Sequence, residues 1–185
     1  MTIASLPAVV PDDVIRFWRE AGADRWFAKN DAFDQQFRER FTEAHFAAAR
    51  RELDAWADTP QGALALMLLL DQFPRNCFRG SAHMYATDPL ARHFVRGLLE
   101  RSFDHHIEPE LRVFCYLPLM HSEHMPDQRQ SLDLNRALGD PYARHGQGHH
   151  DIVQRFGRFP HRNRLLGRES TPEELAFLAD GGFKG

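Results

Sequence analysis

The chain has 185 residues, a formal net charge of −3 at pH 7 and 43% hydrophobic residues, among them 15 phenylalanines. A chain of this length can bury a substantial core, and we expect a single domain over residues 1–185. It contains no run of eighteen apolar residues, and its first residues lack the basic start and long apolar stretch of a signal peptide. We therefore predict neither a membrane span nor secretion.

The positive charge is almost entirely arginine, because lysine occurs only at Lys29 and Lys184. Six arginines lie between Arg144 and Arg168, where Asp151 is the sole acidic residue. A guanidinium group pairs in a rigid fork with carboxylate or phosphate, although a base-composition bias of the genome would also favour arginine. The stretch is too short and too poor in lysine for a nucleic-acid interface. We expect neither nucleic acid nor membrane as a partner.

The two cysteines, Cys77 and Cys115, stand in unrelated surroundings, one after a proline-bearing motif and one in an apolar run. Free cysteine is among the most frequently buried residue types, and an unpaired thiol is typical of a reducing compartment. We predict two buried thiols and a cytoplasmic protein.

The apolar residues along the chain have helical spacing. Phe33, Phe37 and Phe41 recur every fourth residue, and Leu90, Phe94 and Leu98 repeat the spacing later. Two further segments are apolar almost all round, which predicts buried helices: Leu64–Leu70, and Leu111–Met120 with a kink at Pro118. Four helix starts are predicted where a polar capping residue precedes proline: Thr59-Pro60, Asp88-Pro89, Asp140-Pro141 and Thr171-Pro172.

Two short motifs place an aromatic residue and a proline directly before an arginine and an asparagine: Phe73–Asn76 and, with an inserted histidine, Phe159–Asn163. Proline fixes φ and disfavours a helical conformation of the residue before it. We therefore predict two stiff corners, each of which aims a guanidinium and an amide group. The whole pattern predicts an all-α fold, a compact array of seven to eight helices without a strict 34-residue repeat.

Histidine occurs in two groups. His121 and His124 would share a helical face, but a metal site needs several converging ligands, and the His-Glu-x-x-His pattern is absent. His145, His149 and His150 fall among glycines, which predicts a solvated turn. We predict no metal site and no cofactor.

Sequence patterns for nucleophilic catalysis are missing. The chain has no Gly-x-Ser-x-Gly motif and no glycine-rich phosphate loop. Ser122 stands between His121 and Glu123, but a catalytic triad is built in space and not by neighbours in sequence. These residues permit acid–base chemistry without identifying a reaction.

Motifs over nearly the whole chain resemble those of a bacterial family called domain of unknown function 924. The motifs are Phe17-Trp18, Trp26-Phe27, Phe33-Asp34, Leu68–Asn76, Arg79-Gly80, His121-Ser122-Glu123, Gln128, Arg155–Asn163, Leu166-Gly167-Arg168 and Ser170–Glu174. The resemblance implies a single all-α domain similar to the tetratricopeptide class, and it implies no activity. Family members often carry an acidic residue where this chain has His124.

We expect a polar pocket between the two corners and the His121-Ser122-Glu123 motif, and we expect it to bind a small anionic molecule. In this hypothesis arginines hold carboxylate or phosphate, His121 or His161 transfers a proton, and Glu123 orients a histidine. The predicted ligand-binding residues are Arg75, Asn76, His121, Glu123, Arg155, Arg158, His161, Arg162 and Asn163.

Two other functions fit the same sequence. The chain could be a helical interaction module that grips a peptide in a groove. The polar cluster could instead be purely structural and lock helices together, with Asp71 paired to an arginine of the second corner, because buried charges must be paired.

Overall fold

Helices follow one another along residues 9–183, the part of the chain that the computed structural model describes. The α-helices are α1 (Pro11–Ala21), α2 (Ala23–Trp26), α3 (Asp31–Ala49), α4 (Pro60–Met67), α5 (Phe73–Cys77), α6 (Asp88–Glu100), α7 (Val113–Met120), α8 (Met125–Leu138), α9 (Tyr142–Phe156) and α10 (Pro172–Ala179). Short 3₁₀ turns lie at Asp54–Asp58, Ala82–Tyr85, Phe103–His106 and Pro160–Arg162. There is no β-strand within this range, and the predicted all-α class is confirmed. The helical segments outnumber the seven or eight predicted, because pieces as short as α2 and α5 leave no periodic pattern.

The centre of the molecule is formed by the two segments that are apolar all round. Every residue from Gly62 to Pro74 is buried, and so is all of α7. The predicted stripe on α3 packs on this centre together with α1, and the Phe17 ring stacks 5.1 Å from Phe33 and 5.3 Å from Phe37. No helix among residues 9–183 is long and apolar enough to cross a bilayer.

The first predicted corner is wrong, because Phe73–Asn76 is helical. Phe73 has φ −52° and ψ −49°, and Pro74 lies in the first turn of α5. The turn before it, Leu68–Gln72, is a wider π-helical turn in which the Phe73 amide donates to the Leu68 carbonyl. A proline lacks the amide donor and crowds the carbonyl four residues earlier, so the wider turn accommodates Pro74 without ending the helix.

Side chains from elsewhere in the chain bond to two backbone carbonyls of the π-helical turn. His45 Nδ1 lies 2.8 Å from the Leu69 carbonyl oxygen, and Thr87 Oγ1 donates to the Leu70 carbonyl at 2.5 Å. Buried carbonyls need such partners. Thr87 immediately precedes α6, so this bond also fixes the start of α6 beside the turn.

The second corner lies where it was predicted. Phe159 is extended, with φ −92° and ψ 107°, and the 3₁₀ turn Pro160–Arg162 follows. The capping motif at Thr171 is present as well: its hydroxyl accepts from the Glu174 amide, and the Glu174 carboxylate accepts from the Thr171 amide.

The predicted histidine-rich turn is wrong, because His145, His149 and His150 lie on α9. Gly146 is buried against α8, where an added Cβ would lie 3.2 Å from Cβ of Asn135. The glycine therefore allows two helices to pack closely, and it does not mark a loop. On this helix His149 is partly buried.

Candidate functional site

Asp71 lies in the π-helical turn and is the centre of a buried polar cluster. Its side chain is 1% exposed and accepts from Gln72 Nε2 at 2.6 Å and from His121 Nδ1 at 2.8 Å. Arg75 Nη1 lies 3.1 Å from the same carboxylate. Burial by itself raises the pKa of Asp71, but the Arg75 charge and the His121 contact outweigh it and hold the pKa well below its usual range. Asp71 is therefore a permanent carboxylate that orients His121.

Arg75 is fully paired. Its guanidinium group makes two bonds to Asp88, at 2.8 and 3.0 Å, and one at 2.9 Å to the backbone carbonyl of Asp71. Asp88 begins α6, so this pair joins α5 to α6. Burial disfavours the charged form, but both carboxylates outweigh it, so the pKa of Arg75 rises above its usual value.

Arg162 is the contrasting case, because its guanidinium group is buried with little pairing. The side chain is 8% exposed and lies between two aromatic rings, 4.6 Å from Tyr85 and 4.5 Å from Phe159. Its one hydrogen bond is a long one, 3.5 Å from Nη1 to Asp88, and its Nε has no partner within residues 9–183. Burial, with repulsion from Arg75, lowers the pKa of Arg162.

The imidazole rings of His149 and His161 lie near Arg162, and the ring of His121 lies next to that of His149. The rings of His121 and His149 are 6.0 Å apart, and Phe183 covers His149 at 4.7 Å and His161 at 5.2 Å. The pKa of His149 and that of His161 are both lowered to about 3, chiefly by burial, with a smaller contribution from the charge of Arg162. Burial and then Arg75 also lower the pKa of His121. All three rings are therefore neutral at pH 7.

With neutral imidazoles, the charges at the centre of the cluster cancel. The guanidinium groups of Arg75 and Arg162 balance the carboxylates of Asp71 and Asp88. These four charges sum to zero, so no excess of positive charge is left among them. Two buried nitrogen atoms, Arg162 Nε and His161 Nδ1, have no hydrogen-bond partner within residues 9–183.

Of the predicted site residues, Arg75, His121, His161 and Arg162 come together in this cluster. Glu123 lies at its edge and does not orient a histidine. Its carboxylate accepts from the Phe159 amide at 2.8 Å and from two nitrogens of Arg168, at 2.7 and 2.9 Å. The orienting carboxylate is that of Asp71.

The other predicted residues face elsewhere. Asn76 follows Arg75 on a helix and points to α3, where it donates to Asp34 at 2.7 Å. Arg158 makes a two-bond pair with Glu174, at 2.6 and 2.8 Å, and Asn163 donates to the same carboxylate at 3.2 Å. These two residues attach α10 to the second corner.

Arg155 lies on the surface. It pairs with Glu173 at 2.9 Å and stacks over Phe156, 4.6 Å from the ring centre. Such an exposed pair contributes little stability, and nothing joins Arg155 to the cluster.

Sequence reasoning missed three members of the cluster. Asp88 was interpreted as a helix start, His149 as part of a turn, and Tyr85 was not considered. A helical interpretation of residues 142–156 would have placed His149 and Val153 on one face, and Val153 is buried. No local pattern predicts Tyr85, which reaches Arg162 through tertiary packing.

Within residues 9–183, no group of three or more His, Cys, Asp or Glu side chains has the geometry to hold a metal ion. Folding without metal stays a prediction. Both cysteines are buried and unpaired, as predicted.

Comparison with known proteins identifies the family and no activity. The profile of a family described as "Bacterial protein of unknown function (DUF924)" matches residues 14–182. A solved structure of a protein of unknown function from Agrobacterium tumefaciens, ATU0120, is 57% identical with a TM-score of 0.91, over 92% of this chain and 97% of that one. No curated protein matches. Since the profile spans most of the chain, this protein belongs to the DUF924 family of bacterial proteins.

Proposed function

We propose that this protein binds a small anionic molecule at Arg162, among the imidazoles of His121, His149 and His161. The observation that carries the proposal is the buried guanidinium of Arg162, whose Nε has no partner in the described chain. A buried charge that lacks hydrogen bonds is costly, and Asp88 gives both of its oxygens to Arg75 at shorter distances. A ligand carboxylate or phosphate would supply the missing acceptor.

The surrounding rings suit an anion site. The guanidinium group packs against the rings of Tyr85 and Phe159, which cannot accept conventional hydrogen bonds from its Nε. Charged hydrogen bonds to a guanidinium edge are strong when water is excluded. The three neutral imidazoles gain protons more easily once a negative charge lies beside them. The buried, unpaired thiols of Cys77 and Cys115 support a reducing, cytoplasmic environment for this activity.

Acetate, inorganic phosphate and sulfate serve as probes in thermal melts and isothermal titration calorimetry. Arg162→Met keeps the apolar stem between the two rings and removes the donors. Arg155→Met is the matched control, because Arg155 also stacks on an aromatic ring but lies on the surface. We expect an anion to raise the melting temperature of wild type and of the control, as preferential binding to the folded state requires, and to leave Arg162→Met unchanged.

Equal effects of the anions on all three proteins would contradict the proposal. So would the absence of any effect together with a large loss of stability in Arg162→Met. That outcome would identify the cluster as a structural lock, and it would leave peptide binding as the function to pursue.

A further inference from the structure

We infer that an open cleft between α3 and the end of α5 is a second binding site, which takes a phosphate or carboxylate group carried by a polar small molecule. The cleft has a volume of about 340 Å³, within the range of small-molecule sites. Its lining residues are separate from Arg162 and its neighbouring imidazoles, so the inference is independent of the proposed function.

The lining of the cleft is polar and carries a net positive charge. Seven residues line it, all of them polar, and five of these carry a formal charge: Lys29, Asp31, Asp34, Arg38 and Arg79. Lys29 Nζ lies 3.2 Å from Asp31, so this exposed pair cancels, and Asp34 cancels the charge of one arginine. One positive charge is therefore left in the cleft, on a chain whose formal net charge is −3.

Asp34 is a buried carboxylate that positions two side chains of the cleft. It is 9% exposed, and it accepts from Asn76 Nδ2 at 2.7 Å with one oxygen and from Arg79 Nε at 3.2 Å with the other. The two terminal nitrogens of Arg79 form no hydrogen bond within residues 9–183. Asp34 therefore holds Arg79 in place while the outer edge of the guanidinium group keeps its donors.

Arg38 lies one helical turn after Asp34 on α3, and it is held at the same cleft. Its Nη2 donates to the backbone carbonyl of Cys77, and its guanidinium carbon lies 5.9 Å from the centre of the Phe78 ring. The pKa of the Cys77 thiol is raised to about 12, chiefly by burial, and the charges of Arg38 and Arg79 both oppose this rise. Both guanidinium groups therefore lie close to Cys77.

This arrangement favours an anion on a polar body. The outer edge of Arg79 can bind two oxygens of a phosphate or carboxylate group in parallel, and Arg38 adds a second positive charge. A cationic ligand would be repelled by the positive charge that is left in the cleft. An apolar ligand would cover polar groups of the lining without supplying partners for them, which is costly.

The test compares glucose with gluconate and glucose 6-phosphate, which add a carboxylate or a phosphate to a similar polar body. Calorimetry at pH 7.5 should show that at least one of the two anions binds about tenfold more tightly than glucose, since a hydrogen bond to a charged group contributes roughly that factor or more. That anion should also bind more tightly than acetate or inorganic phosphate alone. Equal binding of glucose, equal binding of the bare ion, or no binding of either polar anion would overturn the inference.

Variants assign the binding to the cleft. Arg38→Gln and Arg79→Gln should each weaken it about tenfold. Arg40→Gln is the matched control with the same change of charge on the same helix, because Arg40 packs over aromatic rings outside the cleft. Arg162→Met should retain the binding as well. Loss of binding in Arg162→Met, or full binding in both cleft variants, would overturn this inference and leave the proposed function to its own test.

Wild-type protein provides a second test that needs no variant. In ¹H–¹⁵N spectra, the Nε–H signal of Arg79 and the side-chain amide signals of Asn76 should shift as the tighter anion is added, with the dissociation constant that calorimetry gives. The Nε–H signal of Arg155, which is paired on the surface with Glu173, should not shift. Unchanged signals of Arg79 and Asn76 at saturating anion would overturn the inference.

Discussion

Arg75 and Arg162 contact the same carboxylate, that of Asp88, but Arg75 binds it more closely. Arg75 makes two bonds to Asp88, at 2.8 and 3.0 Å, whereas Arg162 reaches it with one contact of 3.5 Å. The two arginines come from segments far apart in sequence and differ in what each can do. Arg75 joins α5 to α6, whereas Nε of Arg162 has no acceptor within the described residues.

This difference predicts unequal effects on stability. Arg75→Met leaves two buried carboxylates, Asp71 and Asp88, without their cation, and we expect the free energy of unfolding to fall by about 3–5 kcal/mol. Arg162→Met removes a poorly paired buried charge and should cost no more than about 1 kcal/mol. Urea unfolding of both variants measures the two values. Similar losses would show that Arg162 is also part of the lock.

Stability should depend on pH through His149. Its pKa is lowered from 6.5 to about 3 in the folded protein, chiefly by burial, so below pH 6.5 the unfolded chain binds the proton first. The stabilising effect of the neutral ring is complete above pH 6.5 and is lost progressively as pH falls toward 3. We expect His149→Phe to lose less stability than wild type between pH 7.5 and 5, measured by urea unfolding.

Several charged groups face the same ring. Burial lowers the pKa of His121 and of His161 as well, and both rings stay in both proteins, as does the guanidinium group of Arg162. If the stability of His149→Phe depends on pH just as that of wild type does, the effect comes from those neighbours and not from His149.

Helix α10 should depend on Glu174. This carboxylate accepts from Arg158, Asn163 and the Thr171 amide, and its side chain is nearly inaccessible. We expect Glu174→Ala to reduce the free energy of unfolding by about 2 kcal/mol, the range for hydrogen bonds to charged groups. Differential scanning calorimetry measures it. Glu173→Ala is the control, because that carboxylate is exposed, and an equal loss there would contradict the assignment.

The protein should fold without metal. Two histidines of the cluster already bond to protein groups, His121 to Asp71 and His149 to the His145 carbonyl. Dialysis against chelator should leave helical circular dichroism and the melting temperature unchanged. A fall of more than about ten degrees, together with stoichiometric zinc or iron in the starting protein, would reverse this; such a shift corresponds to roughly 3 kcal/mol for a domain of this size.

Local patterns in the sequence were enough to predict many of the helices. A stripe such as Phe33, Phe37 and Phe41 needs no distant information, because one face of a helix repeats every three to four residues. A cap such as Thr171 is equally local, since it acts on an amide three residues away. The corner at Phe73 failed for the opposite reason. Whether a proline ends a helix depended on the π-helical turn, whose carbonyls are satisfied by His45 and Thr87 from elsewhere.

Only the tertiary structure decided which polar side chains meet. Asp71 and His121 are 50 residues apart, and Arg162 is 74 residues from Asp88. Whether a guanidinium group becomes a lock or an open donor depends on how many acceptors the packed helices place around it. Arg158 pairs with Glu174, whereas Arg162 packs against two aromatic rings and has one distant carboxylate oxygen as its acceptor. Identical side chains four residues apart therefore differ in role, because burial and pairing are properties of the packed helices and not of the motif.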